Sequence, residues 1–177
     1  MLTVLIDAAD DPNGLALTLA TLVPGAVEGL VRDVVVIDRG LDAATRKVAD
    51  HAGCRIAEGE SLPTVLANAK GDWLLLLETG ARPSVDWVDS VTAHIGEVEM
   101  RGRTPRPARF GRARSDSLGF LARFTGRRTA LAEGLLIPKV QAIGPASRSA
   151  TLEEMAKGFA TSLLEATIKP RQAKPKA

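Results

Sequence analysis

A carboxylate stands at the end of an apolar run near residue 38, a position at which parallel sheets bind ligands. The run is Val34 to Ile37, and Asp38, Gly40 and Asp42 follow it. An uninterrupted apolar run of this length predicts a central strand of a parallel sheet that is covered on both faces. Ligands of such sheets bind beyond the carboxyl ends of the strands. We therefore expect Asp38 at a ligand-binding rim, Gly40 in the turn that follows, and Asp42 as the cap of the next helix.

Arginines are concentrated in one part of the chain. Nine of them lie between Arg101 and Arg128, although the formal net charge of the whole chain is only +2. Because a guanidinium pairs with phosphate through two hydrogen bonds, this segment could cover a diphosphate, bind anionic lipid head groups beside a lipid-linked acceptor, or contact nucleic acid. Nucleic acid is the weakest interpretation, since no recognised binding motif accompanies the charge. The alternative is a solvated, arginine-rich surface without a ligand.

Length and composition favour one globular domain. The chain has 177 residues, of which 45% are hydrophobic and 25% charged, and this suits one sizeable core. The single Cys54 excludes an intramolecular disulfide framework and fits a reducing compartment. The first residues lack the basic start of a signal peptide, and no apolar run approaches the roughly 20 residues of a membrane-spanning helix. We expect a cytoplasmic protein, which could also contact the inner face of the membrane.

Strands and helices alternate regularly up to residue 77. Asp42 and Ser61 are suited to cap helices, and Pro24 is suited to end one. The predicted strands are Leu2–Ile6, Val34–Ile37, Cys54–Ala57 and Trp73–Leu77. This alternation predicts an α/β domain built on a mostly parallel sheet with helices on both faces.

The second half of the chain is less regular. The predicted elements are a helix capped at Ser84, an edge strand at Glu97–Met100, a loop rich in Arg, Pro and Gly at 101–114 and a short helix at Leu118–Phe124, both within the arginine-rich segment 101–128, a strand at Gly134–Ile137 and a C-terminal helix at 151–168. The last helix depends on Met155, Phe159 and Leu163, which recur every four residues. Residues 1–168 are thus expected to form a single domain, followed by a basic, disordered tail at 169–177.

Four segments in this order resemble the family-two glycosyltransferases, whose donor-binding half has the glycosyltransferase-A fold. Residues 34–42 resemble the strand of that family that ends in Asp-Asp-Gly-Ser-x-Asp, and residues 66–77 resemble its Asn-x-Gly-x-x-Gly-Asp-Trp-Leu strand. Residues 78–83, Glu-Thr-Gly-Ala-Arg-Pro, stand where the family has its Asp-x-Asp motif and a downstream proline. Residues 133–144 resemble the segment that precedes the catalytic carboxylate. The resemblance covers roughly residues 2–160 and implies the glycosyltransferase-A fold.

The resemblance also implies a nucleotide-diphospho-sugar donor and suggests roles for two acids near it. Asp38 would accept a hydrogen bond from the nucleotide base, and its alternative role is to accept hydrogen bonds from nearby backbone N–H groups. Asp7 lies where the family has a base-contacting hydroxyl, which this chain lacks. It would therefore contact the donor in place of that hydroxyl, or cap the first helix.

The metal motif of the family is incomplete in this chain. Glu78 takes the first acidic place of the motif, and Gly80 takes the second. Hard divalent cations need oxygen ligands, and Gly80 has no side chain to provide one. The carboxylate that would hold Mg²⁺ or Mn²⁺ is therefore missing, and no metal ligand is assigned. Two possibilities remain open: Glu78 could reach a metal held mainly by the diphosphate, or the arginine-rich segment could neutralise the leaving group.

Glu154 is the candidate catalytic base by the same resemblance. The family places its base in an acidic pair past a Gly-Gly pair, and here Gly144-Pro145 is followed by Glu153-Glu154. The spacing Thr151-x-x-Glu154 is also a capping box that would begin the final helix. Two functions therefore remain open. The chain could transfer a sugar to a glycan or lipid-linked acceptor in envelope polysaccharide assembly, or it could be a catalytically inactive domain that binds nucleotide, a partner or a membrane surface.

Overall fold

The computed structural model describes residues 1–101, 105–113 and 129–171, without the side chains of residues 98, 99 and 101. One eight-stranded sheet forms the centre of the fold. Its strands are β1 (Leu2–Ala8), β2 (Val31–Asp38), β3 (Arg55–Ala57), β4 (Trp73–Glu78), β5 (Arg82–Pro83), β6 (Ala108–Arg112), β7 (Leu135–Pro138) and β8 (Ser162–Lys169). The helices are α1 (Pro12–Val27), α2 (Ala43–His51), α3 (Leu62–Ala67), α4 (Trp87–Arg101), α5 (Lys139–Ala146) and α6 (Leu152–Met155).

The sheet has a parallel half and a mixed half. Its strand order is β3-β2-β1-β4-β7-β6-β8-β5. The first four strands are mutually parallel, whereas β7 pairs antiparallel with β4 and β6, β6 pairs parallel with β8, and β5 pairs antiparallel with β8. The prediction of an α/β domain with a mostly parallel sheet is confirmed, and β1 lies inside the parallel half between β2 and β4.

Helices cover both faces of the sheet, which explains why its central strands are apolar without alternation. Along β4, Leu75 and Leu77 pack in one cluster with residues of α1 and α4. Leu74 and Leu76 pack in a second cluster with residues of α3, α5 and α6. Each of the four leucines is fully buried, since successive side chains of a strand point to opposite faces.

Helix α1 runs past the point where the sequence predicts its end. Asp11 caps it by accepting a hydrogen bond from the backbone N–H of Gly14 at 3.0 Å, but the helix continues through Pro24 and Gly25 to Val27. Trp87 packs on this last stretch, and its Nε1 donates a hydrogen bond to the Thr21 carbonyl at 2.9 Å. The prediction of a stop at Pro24 is therefore wrong, because tertiary packing outweighs the local cost of proline.

Three further predictions between residues 84 and 114 are wrong. The helix there begins at Trp87 and not at Ser84, because the Ser84 hydroxyl donates to the Asp86 carboxylate and accepts from Thr167 N. The same helix continues through Glu97–Met100, which is therefore not an edge strand. Within the predicted loop 101–114, residues Ala108–Arg112 form β6, which is held between β7 and β8.

The predicted C-terminal helix at 151–168 is also wrong. Only Leu152–Met155 is helical, and Ser162–Lys169 forms β8. Gly158, with a φ of +83°, separates the two, because a left-handed backbone ends a helix. Leu164, Ala166 and Ile168 are buried, whereas Leu163 and Glu165 are exposed, so the period that governs this segment is two residues.

The prediction of a tail that starts at residue 169 is wrong at its first residues. Lys169 belongs to β8, and Arg171 has defined contacts with the rest of the domain. Residues 172–177 and the predicted helix Leu118–Phe124 lie outside the described residues. In the part of the chain that the structure describes, no helix combines the length and the apolar character needed to cross a bilayer.

The contact between Gly25 and Trp87 gives a test of the packing. A Cβ at Gly25 would lie 2.6 Å from a ring carbon of Trp87, whereas a Cβ at Gly96 in α4 meets nothing within 4 Å. We expect Gly25→Ala to lower the free energy of unfolding by about 1–3 kcal/mol through overpacking. Gly96→Ala should raise it by about 0.5–1 kcal/mol, because alanine is the better helix former. Urea denaturation of both variants measures the difference, and an equal effect of the two substitutions would contradict this packing.

Candidate functional site

Three acids predicted from the sequence lie at one edge of the sheet. Asp7, Asp38 and Glu78 stand at the carboxyl ends of β1, β2 and β4. In the parallel ladders, Asp7 is the register partner of Glu78, and Ala8 is the register partner of Asp38. The structure therefore brings the three positions together on adjacent strands, at the edge where open α/β sheets bind ligands. We call these three side chains the rim carboxylates.

Asp38 is held by its own turn and by α2. Its Oδ1 accepts hydrogen bonds from the backbone N–H groups of Gly40 and Leu41, both at 2.8 Å. Its Oδ2 accepts from Arg46 Nη2 at 2.7 Å. The backbone bond from Leu41 makes the largest contribution to a lowered pKa of Asp38, and the Gly40 bond and the Arg46 charge lower it further against the opposing effect of burial. The carboxylate is thus ionised and fixed in orientation.

Asp7 is linked to a distant loop through Arg39. Arg39 Nε donates to Asp7 Oδ1 at 2.8 Å, and Arg39 Nη2 donates to the Ala150 carbonyl at 3.1 Å. Asp7 does not cap the first helix, since Asp11 fills that position. The arginine that follows Asp38 in the sequence therefore ties β1 to the segment that precedes α6.

Glu154 lies close to this link and forms part of a helix cap. Its backbone N–H donates to Thr151 Oγ1 at 3.0 Å, and its Oε2 accepts from the backbone N–H of Ala150 at 2.8 Å. The predicted capping function is confirmed, although the carboxylate bonds the residue before the cap and not Thr151 itself. The side chain is exposed. Through Ala150 and Arg39, Glu154 is connected to Asp7 and belongs to the same end of the sheet.

Glu78 is also fixed by internal donors. Its Oε2 accepts from Thr129 Oγ1 at 2.8 Å, and its Oε1 accepts from the backbone N–H of Arg171 at 3.2 Å. No local sequence pattern links either donor to Glu78. Thr129 and Arg171 lie 51 and 93 positions from Glu78, so only the fold brings them to this carboxylate.

Sequence reasoning missed two half-buried residues, Glu153 and Arg109, which bind the same loop. Glu153 accepts hydrogen bonds from the backbone N–H groups of Ala130 and Leu131, at 2.6 and 3.2 Å. Arg109 donates to the carbonyls of three residues, Ala130, Gly134 and Ala156. Burial lowers the pKa of Arg109, and the charges of Glu133 and Glu153 oppose that shift. The pair fixes the loop that carries Thr129 to the rim.

The arginine-rich segment is only partly described. Within it, Arg109 turns inward, and Arg112 pairs with Glu133 at 3.4 Å. Arg103, Arg114, Arg123, Arg127 and Arg128 lie outside the described residues. The prediction that this segment contacts lipid or glycan therefore stays a prediction.

Arg171 occupies the place next to Gly80. Gly80 has a φ of +89°, and a Cβ added there would lie 3.2 Å from Arg171 Cγ. Its backbone N–H is held by Thr18 Oγ1 at 2.8 Å. The Arg171 guanidinium lies 4.0 Å from Asp11 Oδ2. A cationic side chain thus lies beside the position that would carry the second acid of the metal motif.

The donor set at this position does not fit a divalent cation. Both oxygens of Glu78 already accept hydrogen bonds, and the neighbouring guanidinium would repel a metal ion. Across the described ranges, no three His, Cys, Asp or Glu side chains are grouped so that they could hold a metal. The chemistry available at the rim is therefore that of paired carboxylates and arginines.

The chain is similar in structure to known proteins, although no family model or curated sequence matches it. No protein-family model matches the chain, and no curated protein matches it. Solved structures do match over almost the whole chain. A structure of S. aureus TarS (residues 1–349) superposes with a TM-score of 0.65 at 10% identity, covering 96% of this chain and 60% of that one.

Glucosyl-3-phosphoglycerate synthase from Mycobacterium tuberculosis gives a similar result. Its complex with Mn²⁺, UDP and glucosyl-3-phosphoglycerate matches with a TM-score of 0.60 at 14% identity, covering 98% of this chain and 73% of that one. Its complex with Mn²⁺, UDP-glucose and phosphoglyceric acid also gives 0.60, at 15% identity, with the same coverage. The chain thus spans 60% of the TarS structure and about three quarters of the synthase. At this level of identity the likeness establishes the fold, and the fold is that of the GT-A-type glycosyltransferases.

Proposed function

We propose that the chain is a glycosyltransferase that binds a nucleotide-diphospho-sugar at the rim and transfers the sugar to a glycan or lipid-linked acceptor in envelope polysaccharide assembly. The observation that carries the proposal is the convergence of Asp7, Asp38 and Glu78 at the carboxyl edge of the parallel strands. Solved structures of the same fold hold UDP or UDP-glucose, which supports a donor of this class.

Asp38 is proposed to receive the nucleotide base. A carboxylate has about four lone-pair positions, and Gly40, Leu41 and Arg46 use three of them. One position remains for an imino N–H of the base. The existing bonds hold the carboxylate ionised and in a fixed orientation, so binding the base requires no rearrangement of this side chain.

Donor binding is proposed to be independent of metal, because the residues at Glu78 and Gly80 do not fit a divalent cation. A diphosphate still needs positive charge around it. Arg171 lies beside the incomplete motif, and its guanidinium is only loosely paired at 4.0 Å from Asp11. Guanidinium groups bind phosphate through paired hydrogen bonds. Arg171 is therefore the proposed partner of the diphosphate and of the charge that develops on it as it leaves.

Glu154 is proposed as the catalytic base of an inverting transfer. Its Oε1 would take the proton of the acceptor hydroxyl while the hydroxyl oxygen attacks the anomeric carbon. The bond between that carbon and the diphosphate oxygen breaks, and the nucleoside diphosphate leaves with the electron pair. Among the described residues, Oε2 is bonded to Ala150 N and Oε1 has no hydrogen-bond partner, which leaves one oxygen for the proton.

A catalytically inactive binding domain is the second candidate. Arg171 and Thr129 occupy both oxygens of Glu78, and this arrangement also suits a protein that has lost the chemistry but kept the fold. Such a protein would act through nucleotide, a partner or an anionic membrane surface. The two candidates differ in donor binding and in turnover, so separate measurements distinguish them.

Calorimetric titration with UDP and GDP, each with and without Mn²⁺, tests donor binding. We expect one of the nucleotides to bind, and Mn²⁺ to change its Kd by less than about twofold, because arginine replaces the metal. Arg171→Gln should weaken that binding about tenfold, which corresponds to about 1.4 kcal/mol. Arg32→Gln, an exposed substitution at the opposite end of β2, is the control. Binding that requires Mn²⁺ would contradict the metal-free site, and no binding of either nucleotide would remove the donor proposal.

Substitution of Glu154 by Gln tests the catalytic step. Glutamine serves equally well in a capping box, so the melting temperature should stay unchanged while release of nucleoside diphosphate from the bound nucleotide-sugar falls by about 100-fold or more. Glu165→Gln, on the exposed side of β8, should leave both quantities unchanged. Equal turnover of the Glu154 variant and the unmodified chain would rule out Glu154 as the base, and absent turnover in both would favour the inactive domain.

The lowered pKa of Asp38 predicts a pH-dependent contribution to stability. A carboxylate whose folded pKa lies below its unfolded value of about 3.8 stabilises the fold above that pH. Asp38→Asn should therefore lower the free energy of unfolding by about 1 kcal/mol at pH 7, and the difference should begin to shrink near pH 4 and continue to shrink as the pH falls through the lowered folded pKa. Asp72→Asn, in which a 91% exposed carboxylate lies 3.8 Å from the terminal amine, should change little. A difference that does not shrink as the pH is lowered from 5 to 2.5 would contradict the ionic role of Asp38.

A further inference from the structure

A pocket of about 340 Å³ opens between β5, β8 and the end of β6. It does not include the rim carboxylates, and its cationic lining residues are Arg82 and Lys169. Ser84 and Thr167 also line it. The volume falls within the range of small-molecule sites. These residues are different from those proposed to bind the donor.

The two cations are forced onto the same face of the sheet. Arg82 and Lys169 are direct register partners in the antiparallel pairing of β5 with β8. Directly opposite side chains of an antiparallel pair lie side by side, and like charges in that arrangement are destabilising. The next pair, Pro83 and Ile168, is buried on the opposite face. The core packing of Pro83 and Ile168 therefore fixes the two positive charges next to each other.

Neither cation has a balancing carboxylate in the described part of the chain. No ion pair found there includes Arg82 or Lys169. In addition, Arg82 Nε is buried and has no hydrogen-bond partner among the described residues. A buried donor without an acceptor costs free energy, and the cost is larger when the group is charged. The nearby Asp86 carboxylate is exposed and accepts its hydrogen bond from Ser84.

We propose that this pocket binds the phosphate group of a small molecule between Arg82 and Lys169. An anionic oxygen would accept from the Arg82 guanidinium, which has no carboxylate partner among the described residues, and the Lys169 ammonium would supply the second charge. One dianion would offset the repulsion between the two cations. The pocket also leaves room beside the phosphate for the body of a phosphomonoester. This inference does not depend on the proposed glycosyltransferase activity, because the pocket shares no lining residue with the rim carboxylates.

Thermal denaturation with and without inorganic phosphate tests the site, with sodium chloride at equal ionic strength as the reference. We expect phosphate to raise the melting temperature above the chloride value. Lys169→Gln should raise the melting temperature in the absence of phosphate, because it removes the repulsion, and should weaken phosphate binding about tenfold. Lys157→Gln, an exposed lysine after α6, should change neither. The substitution of Lys169 is thus expected to stabilise the free protein and to abolish most of the ligand effect.

Other outcomes identify the ligand or overturn the proposal. Tighter binding of glycerol 3-phosphate than of inorganic phosphate would identify a phosphomonoester, whereas equal affinities would identify the phosphate ion alone. If Lys169→Gln lowers the melting temperature and phosphate has no effect, the two cations are neutralised by other groups of the protein and the proposal is wrong. The UDP or GDP titration should be unaffected by Lys169→Gln, so failure of the phosphate site and failure of the donor site remain distinguishable.

Discussion

The parallel register of β1 with its two neighbours is the constraint on which the site depends. Asp7 and Glu78 are direct partners across one ladder, and Asp38 follows from the same register on the other side. A slip of one residue would turn every side chain of a strand to the opposite face. Because both faces of these strands are covered by helices, such a slip would misplace the buried leucines and valines of the core. The packing of apolar residues thus fixes the position of the acids.

Arginine side chains balance the charge of two of the three rim carboxylates. Asp7 pairs with Arg39 at 2.8 Å, and Asp38 pairs with Arg46 at 2.7 Å. Arg39 lies in the turn and Arg46 in the helix immediately after β2, so the segment that follows one acid supplies the cations for two. A rim of paired charges repels an anionic ligand less than bare carboxylates would. Glu78 differs, since both of its bonded donors belong to neutral groups.

Features of this fold that depend on neighbouring residues could be predicted from the sequence. Asp42, Ser61 and Thr151 cap their helices as expected, because each cap involves residues three positions apart. The fold class followed from the alternation of strands and helices in the first half of the chain. The resemblance to family-two glycosyltransferases also led to the correct fold.

Features that depend on distant residues could not be predicted in the same way. Residues 155–163 fit a helical period, but Gly158 and the pairing of β8 with β5 and β6 decide the conformation. The contacts of Arg109 with three carbonyls and of Arg171 with Glu78 join segments far apart in sequence. No local pattern encodes such contacts. The roles of the site residues stay predictions for the same reason, since they depend on a ligand as well as on the fold.

The placement of β8 between β6 and β5 has a consequence for the order of folding. Among the described strands, β5 at residues 82–83 pairs with β8 alone, and β8 begins at Ser162. The two-residue strand has no pairing partner until about 80 further residues have been synthesised. Closing the long loop between β5 and β8 then costs conformational entropy before any hydrogen bond between the two strands forms. The parallel half can assemble from the first 78 residues alone. We therefore expect the nascent chain to form the strands that carry the rim carboxylates early, and to add β8 and β5, at the other side of the sheet, last.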